Sequence, residues 1–423
     1  MKKQTRYFYL FALCLFSSSI VQAAEGLNQE SLSLDQALRV AFAHNPKMIE
    51  ARKSISASKG RWIQSEALPD PQLELSVGGL KKNENGSRNL ESDVVTLKQP
   101  LDPLGTRFLN ARMAHDEVNI TKDELTLTWA EVSVQVTKTY SRILAEEKGL
   151  EVAKDNLETT RQFLSQVETK FQSGNAAKSD LIRARIEVAK AEDDLLVTEK
   201  NLKVSQSEMS LLLGRNVEET IVLSDSLQYE PLHEEYASLT EKALGERADL
   251  RIEKTRLSSA RKGFWSAVLK TVFPQMSIGI ERSTQSFDND TSLLLEASYP
   301  LWGFNLGKVK EAKAEREKQS VHLDAFKRQV GLDVYKAFLE AELSDKRVAL
   351  QKKSLDEANE LLRQITVRYD EGDIAFLAYL ENIKTIKETR LGYFNALKNY
   401  KEQVALLDKA VQRVKVPEGE NLP

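Results

Sequence analysis

The sequence has one cysteine, ten prolines and four histidines in 423 residues, and no long hydrophobic run beyond its opening stretch. Cys14 lies inside that stretch, and the Phe11-Ala12-Leu13 sequence before it is not the small-residue pattern of a lipoprotein signal. We therefore expect no disulfide, thiolate ligand or lipid anchor in the mature chain. No two histidines stand at i and i+4, which argues against a dedicated zinc site.

Motifs for catalysis and for nucleotide binding are also missing. Gly78-Gly79 ends a strand pattern and no helix pattern begins there, so it does not predict a phosphate loop. No nucleophile-elbow pattern surrounds any serine. The sequence predicts no enzyme, no cofactor and no nucleic-acid partner.

Residues 1–23 have the pattern of a secretory signal peptide. Basic residues at positions 2, 3 and 6 precede an apolar stretch at 7–16, and small residues precede a cleavage site at Ala23. The apolar stretch is too short to span the ~30 Å of a hydrocarbon core. Cleavage removes three of the 60 basic residues and leaves 57 against 63 acidic ones, a net charge of about −6. The sequence predicts an exported, mildly acidic protein.

The chain repeats the same order of motifs. The phrase QPLDPLGTRF from Gln99 is echoed by YPLWGFNLGK from Tyr299, and Gly174 in KFQSGNAAKSDL corresponds to Gly372 in RYDEGDIAFLAYL. The offset between equivalent positions stays near 200 residues. We predict two homologous halves, 24–230 and 231–415, followed by a tail at 416–423.

Each half has the pattern of a helix, two strands, a very long helix, a turn and another long helix. The predicted hairpins are 105–213 and 305–414, and apolar residues recur in them at steps of three and four between charged flanks. The helix beginning at Gly105 would be roughly 100 Å long. Shorter helices are predicted at 34–67, stepped at Asn45-Pro46, and at 236–270, with a break near Gly245. These patterns predict packed coiled-coil hairpins.

Four segments alternate with a period of two: 71–79, 93–101, 274–282 and 291–301. Each is about the length of a tilted strand that crosses a bilayer. A soluble hairpin with one face against the helices is the alternative interpretation. In the membrane interpretation, the residues predicted to face lipid are Leu73, Leu75, Val77, Val95, Leu97, Met276, Ile278, Ile280, Leu293 and Leu295.

The flanks of the strands favour the membrane interpretation. A polar loop joins each strand pair, and both outer ends of each pair continue into helices. An open four-stranded sheet would leave unsatisfied edges in lipid, and closed barrels have about eight strands or more. We therefore expect a barrel shared between chains. The predicted strand-to-helix turns contain Pro100, Gly105, Pro300, Gly303 and Gly307.

Taken together, these motifs resemble the TolC family of outer-membrane channel proteins. The resemblance rests on the helix opening with Asn45-Pro46, on ALPDPQLELSVGGL from Ala67, on QPLDPLGTR from Gln99 and on FQSGNAAKSDLIRARIEVAKAEDDLL from Phe171. It covers essentially the whole mature chain. The strand phrase and the Pro-Leu-x-x-x-Gly-x-Arg turn are most similar to the cobalt-zinc-cadmium resistance (CzcC-like) branch.

The resemblance implies an α-helical tunnel joined to a transmembrane β-barrel. Three chains with four strands each would close a 12-stranded barrel in the outer membrane of a Gram-negative bacterium, with the helices projecting into the periplasm. The homotrimer would dock on a periplasmic adaptor and an inner-membrane pump of the resistance-nodulation-division type, and would act as a passive duct.

The hairpin tips carry acidic residues around the two glycines that are predicted to supply the turns. The family has an Asp-x-Leu-Asp pattern after the second tip; the matching positions here end in Leu380-Glu381, and Asp180-Leu181 fits the pattern in the first tip. One interpretation is a solvated helix end favoured by the helix dipole. The other is a ring of like charges at a cation-selective entrance. The candidate tip residues are Gly174, Asp180, Asp370, Glu371, Gly372, Asp373 and Glu381.

The function predicted from the sequence is a passive exit duct in a tripartite efflux system, carrying divalent heavy-metal cations. A duct for drugs or other small molecules is the first alternative. A periplasmic adaptor or coiled-coil scaffold is the second alternative. An adaptor would need β-rich domains and usually has one hairpin, whereas this sequence predicts two hairpins and two membrane-length strand pairs.

Overall fold

The computed structural model describes residues 31–78, 80–82, 88–90, 93–102, 105–219, 221–285, 288–299, 305–371 and 373–417. The signal-peptide prediction, Gly372, Pro300 and Gly303 lie outside these residues. In chain order the elements are α1 (Leu34–His44), α2 (Pro46–Glu66), β1 (Gln72–Val77), β2 (Leu80–Lys82), β3 (Arg88–Leu90), β4 (Asp93–Leu101), α3 (Thr106–Gln172), α4 (Lys178–Leu212), α5 (Tyr236–Glu246), α6 (Ala248–Val272), β5 (Gln275–Gln285), β6 (Asp288–Ser298), α7 (Leu306–Asp370) and α8 (Phe376–Val411).

The first helix of each half is broken into two helices. Asn45 takes an extended conformation (ψ 131°), its side chain accepts a hydrogen bond from the Lys47 amide at 2.9 Å, and Pro46 starts α2. An N-cap and a proline at the first helical position both favour a helix start at this point. In the second half the break falls at Arg247 (ψ 127°), two residues after the predicted Gly245.

Four antiparallel strands form one sheet in the order β1-β4-β5-β6. Its register aligns Leu73, Leu97, Ile280 and Leu293 in one row across all four strands. Side chains alternate between the two faces of a strand, so this row fixes which residues share a face. The polar segment between β1 and β4, predicted as a loop, carries a second small hairpin in which β2 pairs with β3.

The helices continue the strands in the same order. Nearer the sheet, α2 packs on α3, α3 on α6 and α6 on α7, which matches β1, β4, β5 and β6. Farther from the sheet, α3 packs between α4 and α8, and α8 packs on α7. The described chain is therefore one layer of helices that prolongs one sheet.

The segments of chain before α1, after α4 and after α8 meet on the middle of α3. Trp129 donates to the Lys415 carbonyl at 3.0 Å, and the Tyr140 hydroxyl contacts Asp225 at 2.9 Å. Asp225 also accepts the Leu34 amide hydrogen at 2.8 Å, and this bond holds the pKa of that carboxyl below its usual value of 3.8. Apolar side chains of all three stretches join one cluster with α3.

The last helix ends three residues before the predicted Val414. Gln412 adopts a left-handed backbone (φ 60°), which ends α8 after Val411. A left-handed residue terminates a helix in the manner of a C-cap glycine. Because glutamine is not the residue usually found there, the sequence pattern did not indicate this end.

Candidate functional site

The sheet has one apolar face that the described chain leaves uncovered. Leu75 is 66% exposed and Leu293 is 75% exposed, and the other predicted lipid-facing residues with described side chains are exposed as well. Val77 belongs to β1, but its side chain lies outside the description. This exposure disagrees with the alternative of a soluble hairpin packed on the helices. An apolar sheet face this large points to lipid or to another protein surface.

The opposite face of the sheet is polar and holds a group of charged side chains. The Lys98 ammonium nitrogen on β4 lies 3.3 Å from a Glu74 carboxylate oxygen on β1 and 3.4 Å from a Glu296 carboxylate oxygen on β6. The Ser277 hydroxyl donates to the second oxygen of Glu296 at 3.0 Å. Sequence reasoning missed this group because Lys98 and Glu296 stand 198 residues apart.

The predicted turn residues occupy different positions in the structure. Gly105 has a left-handed backbone (φ 83°) and immediately precedes α3. Pro100 lies inside β4, opposite Ser277. Gly307 is in the first turn of α7 and not in a turn before it; the left-handed residue there is Asn305 (φ 49°). Asparagine tolerates this conformation better than most residues with a side chain.

The candidate tip residues lie around the two hairpin turns. Gly174 has a left-handed backbone (φ 79°), Asp180 is in the first turn of α4, and Glu381 is exposed on α8. Glu371 and Asp373 are exposed on either side of the undescribed Gly372, and Asp370 ends α7. Within the described residues, no ion pair involves Asp180, Glu371, Asp373 or Glu381.

An aromatic cluster that sequence reasoning did not single out joins the two tips. The Tyr369 and Tyr379 rings stack at 4.6 Å between centroids, and the Phe163 ring lies 5.3 Å from Tyr379 and 5.2 Å from Tyr369. The Lys170 ammonium lies 4.7 Å from the centre of the Tyr369 ring. Phe163 and Lys170 belong to the first hairpin and both tyrosines to the second, so this cluster holds the hairpins together near their ends.

The same apolar cluster brings the acidic positions of the two tips into one region. Leu181, next to Asp180, and Leu380, next to Glu381, both pack against the cluster formed by Phe163, Tyr369 and Tyr379. The structure thus brings together two tips that the sequence separates by about two hundred residues. Glu381 is exposed at the surface of this shared core, and Asp180 is half-buried there.

The described residues contain neither a membrane-spanning helix nor a cluster of metal-ligating side chains. None of the described helices is both long enough and apolar enough to cross a membrane. No group of three or more histidine, cysteine, aspartate and glutamate side chains in this part of the chain is arranged to hold a metal ion.

In this protein a sheet with one apolar and one charged face continues strand by strand into long helices. This architecture is typical of channel-forming proteins. The sequence profile of the family described as outer membrane efflux protein matches residues 37–215 and 239–411. The chain belongs to this family, and it is a TolC-type efflux channel protein. Members of the family are structural channels and not enzymes.

Individual relatives agree with this assignment. The chain is 19% identical over 394 residues to the cobalt-zinc-cadmium resistance protein CzcC of Cupriavidus metallidurans, covering 90% of each chain. It is 23% identical over 372 residues to the pyoverdine export outer membrane protein OpmQ of Pseudomonas putida, covering 83% of this chain and 75% of that one. The CmeC outer membrane channel of Campylobacter jejuni has a similar fold, with a TM-score of 0.76, 13% identity and coverage of 89% and 85%.

Proposed function

We propose that this chain is one subunit of a trimeric exit duct in the outer membrane of a Gram-negative bacterium, and that the duct carries divalent heavy-metal cations. It works with a periplasmic adaptor and an inner-membrane pump of the resistance-nodulation-division type, and it supplies no energy itself. The observation that carries the proposal is that the sheet and the helical layer both have two different free edges.

The sheet supports the proposal through its edge strands. Among the described residues, β1 pairs only with β4 and β6 pairs only with β5, so one side of each edge strand has free backbone groups. Unpaired backbone groups are costly in lipid, and a closed barrel removes them. Pairing of β1 with β6 of the next copy satisfies both edges and leaves the apolar face outside.

The helical layer has matching edges with exposed apolar stripes. On α7 the stripe follows steps of three, four and seven, and its members are 43–66% exposed: Leu332, Tyr335, Leu339, Leu343 and Leu350. On α4, at the other edge, Val197, Val204 and Leu211 repeat every seven residues and are 46–60% exposed. A seven-residue repeat of apolar side chains is the pattern by which helices pack side by side. We infer that α4 of one copy packs on α7 of the next.

These two edges are different surfaces, so the contact between copies is heterologous. Such a contact forms a ring when the rotation between copies closes, and a closed barrel requires that it does. Four strands per chain require at least two copies to reach the smallest barrels. The resemblance to the TolC family gives the number three, and therefore 12 strands. The repeated order of elements in 24–230 and 231–415 supports an origin of the chain in two homologous halves.

The metal cargo is supported by one relative and by the charge of the chain. CzcC, whose name refers to cobalt, zinc and cadmium, matches nearly the full length of both chains, and carboxylates line the polar sheet face and the tips. Carboxylates near a pore attract cations. The second candidate cargo is a small organic molecule, and the similarity to the pyoverdine export protein OpmQ favours it. Growth of a strain lacking this gene in cobalt, zinc or cadmium, compared with growth in organic toxicants, separates the two cargoes.

The acidic tip ring is part of the proposal, and Glu381 is its test residue. We expect the mature protein to form channels in a planar bilayer with a preference for cations, and Glu381→Gln to weaken that preference because the substitution removes one negative charge per subunit. Glu388→Gln, two helical turns farther from the tip on the exposed surface of α8, is the matched control.

The outcomes of this experiment separate the parts of the proposal. Equal selectivity in wild type and Glu381→Gln would show that Glu381 is an ordinary solvated residue on the helix surface. The proposal that the protein is a duct would still stand. Failure of the folded wild-type protein to form any channel would contradict the duct itself.

A further inference from the structure

Lys98 is the only basic residue on the polar face of the described four-stranded sheet. The register places Glu74, Glu281, Asp288, Asp290 and Glu296 on the same face as Lys98, so this face of the described sheet has five acidic residues and one basic residue. Arg282 falls in the row of Leu75 and Val95 and therefore on the apolar face. The polar face thus carries a net negative charge that Lys98 partly offsets.

Strand β5 lies between Lys98 and Glu296 and leaves room for the lysine side chain to extend across it. Lys98 is on β4 and Glu296 is on β6, with β5 between them, and neighbouring strands lie about 4.8 Å apart. The residue of β5 opposite Lys98 is Gly279. A Cβ at Gly279 would lie 3.2 Å from Lys98 Cγ and 2.7 Å from the Leu97 carbonyl oxygen. Any side chain at this position would occupy the path of the lysine.

The contacts of Lys98 span the whole sheet. Its ammonium group reaches Glu74 on the edge strand β1 in one direction and Glu296 on the edge strand β6 in the other. The two glutamate side chains are 66% and 55% exposed, whereas the lysine side chain is 21% exposed. Ion pairs with exposed carboxylates contribute little to stability, because water screens them. The field of the same charges acts on ions that pass close to them.

We propose that Lys98 is a specificity-determining residue of the duct: it sets how strongly the sheet's polar face selects cations over anions. This inference rests on the proposed function, in which the polar face lines the lumen. Three copies of Lys98 form a ring of ammonium groups, each held between two carboxylates. The ring lowers the negative potential of the lumen and keeps cations from binding so tightly that they leave slowly.

The experiment measures the reversal potential of single channels of the full mature protein in a potassium chloride gradient. Lys98→Gln removes the positive charge and leaves Glu74 and Glu296 unpaired, so we expect a several-fold rise in the cation-to-anion permeability ratio. Glu296→Gln removes a carboxylate and should lower this ratio. Lys98→Arg keeps the charge and should remain close to wild type. A mobility assay of unheated samples checks that each variant assembles like wild type.

The results distinguish this inference from the proposed function. Lys98→Gln channels with wild-type conductance and an unchanged reversal potential would show that Lys98 is a structural tie between strands, and would overturn the inference. A Lys98→Arg variant that shifts selectivity as much as Lys98→Gln would overturn it too, because charge would not be the cause. Absence of channels in every protein, wild type included, would contradict the proposed function and with it the lumenal position of Lys98.

Discussion

Single residues decide where the long helices of this chain end and how closely they approach one another. Asn45 is 3% exposed and makes two hydrogen bonds with opposite roles: its oxygen accepts from the Lys47 amide, and its nitrogen donates to the Leu212 carbonyl at 2.8 Å. The same side chain therefore starts α2 and holds the end of α4. A buried asparagine with both groups satisfied positions these helix ends relative to each other.

Gly214, just beyond α4, tests whether a single residue controls how closely two chain segments approach. Its backbone is left-handed (φ 69°), and a Cβ there would lie 2.4 Å from the His44 carbonyl oxygen. We expect Gly214→Ala to lower the free energy of unfolding by about 2 kcal/mol or more. Alanine is strained in this backbone conformation, and its Cβ would clash with the His44 carbonyl oxygen, which is a backbone atom. Thermal unfolding followed by circular dichroism measures the change.

The matched control is a glycine with open space around it. Gly60 lies inside α2, and nothing stands within 4 Å of an added Cβ. Gly60→Ala should raise the stability by about 0.5–1 kcal/mol, because alanine restricts the unfolded chain and favours the helix. Similar destabilisation by both substitutions would show that close approach to His44 is not what requires Gly214.

At the scale of elements, the two hairpins are joined near their tips by side chains from both. Tyr379 is 7% exposed and stacks on Tyr369 and on Phe163. We expect Tyr379→Ala to destabilise this region by about 3 kcal/mol, the usual cost of deleting a buried aromatic ring. The tips should then open more often, which hydrogen exchange of amides near residues 163 and 369 would detect.

Tyr379→Phe is the control for this prediction, since it keeps the ring and its stacking. Exchange near the tips should stay close to that of wild type in this variant. Unchanged exchange in Tyr379→Ala would mean that the aromatic cluster does not hold the tips together.

The sequence predicts elements well where one local pattern decides them. Alternation predicted all four strands of the large sheet, because side chains on a strand must point to opposite faces. Steps of three and four predicted the long helices. The β2–β3 hairpin was missed because its short, polar strands carry no apolar alternation, and the end of α8 was missed because a left-handed glutamine has no sequence signal.

The candidate site was less predictable than the fold. The residues of the exposed apolar sheet face followed from the period of two, and the positions of the tip acids followed from the turns and the family resemblance. The Lys98 group and the aromatic cluster depend on contacts between the two halves of the chain, such as Lys98 with Glu296 and Phe163 with Tyr379. No local pattern in one sequence reports which positions of two distant segments meet.

For the whole molecule, the proposed contact between copies uses apolar stripes that one chain leaves exposed. Leu339, at the centre of the α7 stripe, is 43% exposed. We expect Leu339→Glu to prevent assembly, because it places a charge in an apolar contact between copies. Native mass measurement in detergent, together with the mobility of unheated samples, reports the oligomeric state.

The neighbouring substitution Glu340→Lys serves as the control, because it also changes the charge of an exposed α7 residue but lies outside the stripe. This variant should assemble as wild type does. Trimers of Leu339→Glu as stable as those of wild type would place the contact between copies elsewhere on the helical layer.

The near-equal lengths of α3 and α7, 67 and 65 residues, constrain how this protein can change in evolution. An insertion in α3 alone would carry the first tip past the second by 1.5 Å for every added residue and would separate Phe163 from Tyr369 and Tyr379. A longer or shorter protein therefore requires matched insertions or deletions in α3, α4, α7 and α8. Because seven residues restore an apolar stripe to the same side of a helix, we expect related proteins to differ in the length of these helices by multiples of about seven residues, present in both halves.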